Sequence, residues 1–157
     1  MKTVVLRNPT RLFKFNLNNT SEVLYLPNNF IMKTLISTTK APAAIGPYSQ
    51  ANLANGILYI SGQIPLNSES GKLVEGIEKA THQVMQNLEA ILTEAGMTFK
   101  NVVKASIFLK NMDDFAVMND IYASYLNADN FPARETVQVS CLPKNVDIEI
   151  SMIAHQF

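Results

Sequence analysis

Asn101-Val102-Val103-Lys104-Ala105-Ser106-Ile107-Phe108-Leu109 alternates as a half-buried strand does, with Val103, Ala105, Ile107 and Leu109 on one face and Lys104, Ser106 and Phe108 on the other. A second period follows at once. After Asp113, a residue type suited to an N-cap, Phe115, Met118, Ile121, Tyr122 and Tyr125 recur at helical spacing, which predicts a helix whose apolar stripe joins the core. Upstream, Ile77, Thr81, Val84, Leu88, Ile91 and Ala95 place a longer helix over about 76–95, and Gly96 supplies its stop.

Strands flank this centre. Lys33–Ser37 reads as a short strand, and the prolines and glycine of Ala41-Pro42-Ala43-Ala44-Ile45-Gly46-Pro47 make a loop. Gln50–Leu53 and Ile57–Ser61 form a hairpin around Asn55-Gly56, two residues that tolerate positive φ, and Gly62-Gln63-Ile64-Pro65 then leaves the sheet. Downstream, Glu135–Ser140 and Asp147–Ala154 are strands joined around Pro143-Lys144-Asn145, with Ile148, Ile150 and Met152 alternating with Asp147, Glu149 and Ser151. The order β-β-β-α-β-α-β-β gives an α+β fold, two helices covering one face of a mixed sheet. Oligomerisation is an economical cover for the other face.

The 157 residues, 47% hydrophobic and 17% charged, suit one domain with a real core. Thirteen basic and thirteen acidic residues cancel, which argues against nonspecific nucleic-acid binding, and no apolar run is long enough to span a bilayer. Cys141 is the sole cysteine and His82 and His155 the sole histidines. That excludes an intrachain disulfide and offers no metal-ligand spacing, and a cytoplasmic location is expected. Residues 1–31 are basic and asparagine-rich, with Glu22 their single acid, and read as an extension of unknown role before a domain starting near Met32. Asn18-Asn19-Thr20-Ser21 contains overlapping glycosylation patterns, which matter only in a secreted chain.

Among residues that carry chemistry, Arg134 stands out as the only arginine after Arg11. Its planar fork can hold a carboxylate through two parallel hydrogen bonds, and Pro132 stiffens the chain just before it. A surface salt bridge is the ordinary role for such an arginine. Glu149, flanked by Ile148 and Ile150, is an acid whose pKa burial would raise into a range useful for proton exchange; a solvent-facing strand position is the plain alternative. Tyr48 is placed to cap a ligand or to anchor its own loop. Ser61 and Gly62 end a strand where a ligand's close approach is sterically allowed, and Asn119 is an amide beside the apolar stripe, in need of a partner. Cys141 reads as a small buried or half-buried side chain.

Taken together and in this order, Ala43-Ala44-Ile45-Gly46-Pro47-Tyr48-Ser49-Gln50, Ser61-Gly62-Gln63-Ile64-Pro65, Asp114-Phe115-Ala116-Val117-Met118-Asn119, Phe131-Pro132-Ala133-Arg134 and Ile148-Glu149-Ile150 resemble the RidA (YjgF-type) enamine/imine deaminases from Met32 to Phe157. The resemblance implies a chorismate-mutase-like fold assembled as a homotrimer with clefts between subunits. It implies hydrolysis of enamines and imines such as 2-aminoacrylate to 2-keto acids and ammonia, without metal or cofactor. Arg134 would bind the substrate carboxylate, Glu149 would position or activate water, and Tyr48, Ser61, Gly62 and Asn119 would line the pocket. Many family members carry cysteine where this chain has Thr136, so no pocket thiol is expected and Thr136 takes that place in the substrate site. The resemblance leaves open which subunit supplies each residue. Two further readings remain: a noncatalytic module of the same fold that binds a small carboxylate, and a ribonuclease or translation inhibitor, which the charge balance disfavours.

Overall fold

The computed structural model describes residues 3–8, 11–16 and 33–157. The chain divides into two compact units, Met1–Phe30 and Ile31–Phe157. In the first, β1 (Thr3–Asn8) pairs antiparallel with β2 (Arg11–Asn16), from Thr3 opposite Asn16 to Asn8 opposite Arg11. The β-branched run Thr3-Val4-Val5 was the available signal for this hairpin, to which the sequence reading assigned no structure. The glycosylation patterns and Met32 lie outside the described residues.

In the second unit, β3 (Lys33–Ile36), β4 (Ala51–Ala54), β5 (Ile57–Gln63), β6 (Val102–Leu109), β7 (Ala133–Gln138) and β8 (Ile148–His155) form one sheet in the order β3-β4-β5-β8-β6-β7. All pairs are antiparallel except β6 with β7, which α2 (Phe115–Ser124) connects as a crossover. The β4–β5 turn has Asn55 at φ 52° and Gly56 at φ 78°, the paired left-handed residues that match a hairpin's twist.

The core lies between the sheet and α1 (Ile77–Glu94). Val84, Met85, Leu88, Ile91 and Leu92 of the helix are buried together with Leu58 and Ile60 of β5, Ile148, Ile150 and Met152 of β8, and Ala105, Ile107 and Leu109 of β6. Burying a side chain of this size contributes roughly 1.5–3 kcal/mol, which far outweighs any helix propensity. Gly96, at φ 70°, takes the left-handed turn that ends α1, as its sequence predicted. Two buried amides tie loops to this core. The Asn87 Nδ2 donates to the Ile64 and Leu66 carbonyls, and the Gln50 side chain donates to the Ala41 and Pro42 carbonyls while accepting from the Thr38 N–H. The second set fixes the loop that leads to Tyr48.

Four expectations need correction. β6 has a register shift between Val102 and Lys104, so Val102 is buried and Val103 is exposed rather than aligned with Ala105. β5 runs on through Gln63 across its own register shift instead of leaving the sheet at Gly62. A 3₁₀ turn over Met112–Asp114 precedes α2; its N-cap is Asn111, whose side chain accepts from the Asp113 N–H, and only Met118 and Tyr122 of the helix stripe are buried. Cys141 is exposed, because it follows the end of β7 in the irregular link to β8.

Among the described residues, no helix covers the sheet's second face. Tyr59, Phe108, Val137, Ile153 and the ion pair Lys104–Glu135 alternate there with the core residues of their strands, and Tyr59 and Val137 are 48% and 41% exposed. The Ser106 hydroxyl joins that pair by donating to Glu135.

Candidate active site

Strand parity decides where each candidate side chain goes. Arg134 is opposite Ala105 and Thr136 opposite Ile107, both core residues, so Arg134 and Thr136 lie on the helix side of β7 while Glu135 and Val137 lie on the open side. There the Arg134 Nη1 donates to the Asn119 Oδ1 at 2.9 Å. The guanidinium carbon is 5.6 Å from the Phe115 ring centre and 5.2 Å from that of Tyr122, within cation–π range of both. Asn119 thus finds its partner in Arg134, not in the backbone. Asn119, Tyr122, Ala123, Phe131, Pro132 and Arg134 line a cavity of about 330 Å³ beside this cluster. Burial pushes the Tyr122 phenol up to about 12 despite the opposing charge of Arg134, so it keeps its proton at neutral pH. Neither the Tyr122 hydroxyl nor the Thr136 hydroxyl has a hydrogen-bond partner among the described residues, and both oxygens are buried.

Glu149 lies on the other face of the sheet. Its neighbours Ile148 and Ile150 enter the core, so the carboxylate between them projects away from the helices, and its half-burial raises its pKa through desolvation. The shifted segment of β5 brings Gly62 under it: a Cβ at Gly62 would stand 2.7 Å from the Glu149 Cδ, with the Oε1 closer still. Only glycine leaves that carboxyl its place. The Ser61 hydroxyl donates to the Ser49 carbonyl at 2.7 Å and its N–H to the Gln50 carbonyl, so Ser61 tethers the loop beside Tyr48. Tyr48 is 52% exposed and its ring lies against Gly46.

One chain therefore assembles Arg134, Asn119 and Thr136 on the helix side and Glu149 with Gly62 on the other. Sequence reasoning missed Phe115 and Tyr122 as walls around Arg134. Their seven-residue spacing with Asn119 between them was the signal, and it was read as core alone. Among the described residues there is no group of three or more acidic, histidine or cysteine side chains arranged to hold a metal, and no helix long and apolar enough to cross a membrane.

Residues 38–156 match the family model described as endoribonuclease L-PSP. The chain belongs to the RidA/YjgF/L-PSP family. It is 53% identical over 121 residues to a Lactococcus lactis protein named "Putative regulator AldR", covering 76% of this chain and 95% of that one. It is 46% identical over 127 residues to the human 2-iminobutanoate/2-iminopropanoate deaminase, covering 80% of this chain and 92% of the human protein. The crystal structure of the Rid family protein YyfA from Yersinia pestis is similar at a TM-score of 0.78 and 52% identity, over 80% of this chain and all of that one. The six-stranded mixed sheet with its two helices is thus the architecture of Rid proteins.

Proposed function

We propose that this Rid protein hydrolyses small 2-enamino and 2-imino acids, such as 2-aminoacrylate, to 2-keto acids and ammonia, as a cofactor-free homotrimer. The observation that carries the reading is Arg134, an arginine held by Asn119 and two aromatic rings at the mouth of a small cavity, with donors left over for a ligand. A fork oriented in this way suits a carboxylate, and the name of the human relative supplies the substrate class.

The chemistry asks little of the protein. An enamine first takes a proton at its β-carbon to become an imine, whose carbon is already electrophilic. Water adds to that carbon, a proton moves to nitrogen, and the carbinolamine collapses to the keto acid with loss of ammonia. Arg134 holds the carboxylate, and Glu149, its proton affinity raised by burial, accepts the proton of the attacking water. Because Arg134 and Glu149 lie on opposite faces of one sheet, a pocket containing both is built between copies of the chain. The uncovered face bearing Tyr59, Phe108 and Val137 is the surface on which they meet. The name of the 53% identical relative favours a second reading, a carboxylate-binding module that regulates a partner.

The test couples a dehydratase that generates 2-aminoacrylate or 2-iminobutanoate to this protein and follows decay of the intermediate. Acceleration by wild type, lost on Arg134→Ala in a folded protein, is expected. No acceleration with either substrate would overturn the hydrolase reading and leave the binding module.

A further inference from the structure

We propose that Ala123, Phe131 and Pro132 form the subsite for the substrate's side chain, and that it favours 2-imino acids with a branched aliphatic side chain, such as that of leucine, over 2-aminoacrylate. The inference rests on the reading that Arg134 holds the carboxylate, and it deepens that reading by naming what fills the rest of the cavity. Asn119, Tyr122, Ala123, Phe131, Pro132 and Arg134 line that cavity, and Arg134 is the only one of them that carries a charge. The Asn119 Oδ1 already accepts from it. Ala123 and Pro132 are half-buried and Phe131 is 53% exposed, so all three present accessible carbon to a molecule seated there. Ala123 is on α2 and Phe131 and Pro132 lead into β7, so the chain that supplies Arg134 supplies this wall too.

Volume sets the size of the occupant. The cavity has about 330 Å³. One water occupies about 30 Å³ of the liquid, which gives room for about eleven non-hydrogen atoms. 2-Aminoacrylate, with three carbons, one nitrogen and two oxygens, fills about half of that, and the imine of leucine, with three carbons more, fills most of it. Composition sets the chemistry. A second carboxylate would find no further cation among the lining residues, and a basic side chain would find no acid, so either would lose water without compensation. An aliphatic chain gains by removing its carbons from water.

The probes are pyruvate and 4-methyl-2-oxopentanoate, the keto acids of the two side-chain sizes. They are titrated by calorimetry into the full-length wild type, Ala123→Leu and Phe131→Ala, with thermal melts on the same preparations. Wild type is expected to bind the larger acid about tenfold more tightly. Ala123→Leu puts an isobutyl group of its own into the subsite, and Phe131→Ala removes a wall at a position exposed enough for the fold to tolerate the loss. Each is expected to bring the ratio of the two affinities close to one. Equal affinities in wild type, or a preference that survives in the folded variants, would overturn the proposal and leave the arginine's role intact, as long as both acids lose affinity on Arg134→Ala. Binding of neither acid, or binding indifferent to Arg134→Ala, would overturn the carboxylate reading and this inference with it. A size preference in a protein that accelerates no imine's decay would sink the deaminase reading and leave the subsite standing.

Discussion

Replacing Gly62 by alanine tests the role of Glu149 while leaving Glu149 itself unsubstituted. Gly62 is not in the left-handed region, so alanine brings no backbone strain, and the three atoms nearest its methyl all belong to the Glu149 side chain. An ordinary contact begins near 3.4 Å and the Cδ stands at 2.7 Å, so the carboxyl carbon must retreat by about 0.7 Å and the Oε1 by more. The obstacle is the end of a flexible side chain, so the fold survives at a cost of about 0.5–1.5 kcal/mol for an off-rotamer torsion. Displacing a proton-transfer group by about 1 Å costs on the order of 100-fold in rate. The expected outcome in the coupled assay is a kcat about 100-fold lower with KM little changed, because Arg134 on the opposite face is undisturbed, and a melting temperature within a few degrees of wild type. A folded Gly62→Ala protein with wild-type kcat would refute the assignment of Glu149 to the chemistry.

Two further outcomes follow from the same geometry. Burial raises the Glu149 pKa above the 4.5 of a free carboxyl, so its contribution to stability is present below that value and is lost as pH rises through the folded-state pKa. Glu149→Gln does not titrate, and its melting temperature should gain on wild type as pH rises from below 4.5 to neutrality; a gap independent of pH would contradict the desolvated carboxylate. Val137 is exposed on the open sheet face, where an aspartate is harmless to the single chain but costly in an interface. Sedimentation should give a wild-type mass of about 52 kDa, three chains of 17.4 kDa, and a Val137→Asp mass near one chain; a monomeric wild type would overturn the assembly.

Much of this was legible in the sequence. The period-2 run of β8, the 3.6-period run of α1, Asn55-Gly56 and Gly96 each report a local property, and each element formed where its pattern put it. Arg134 and Asn119 were both marked as candidates from their own neighbourhoods. Their bond to each other was not, since it depends on β7 lying parallel to β6 under α2. The aromatic stripe Phe115–Tyr122 was read as core because apolar spacing is the same whether a helix faces a core or a charged group. Val103 and the end of β5 were misread for a related reason: a bulge breaks the period-2 alternation, so that residues on its two sides no longer share one parity and a strand can continue past the break, and no local signal announces it.

By itself the sequence determined the order and type of the second unit's elements, the α1 residues that enter the core, the family motifs and the residue types able to bind a carboxylate or move a proton. These depend on contacts within a few residues, or on side-chain chemistry alone. Only the tertiary structure decided that Arg134 and Glu149 occupy opposite faces, that Gly62 makes room for the carboxyl, and that the Tyr122 hydroxyl is buried unpaired beside the arginine. Those facts depend on strand register and on which element covers which face, and packing across the whole sheet sets both.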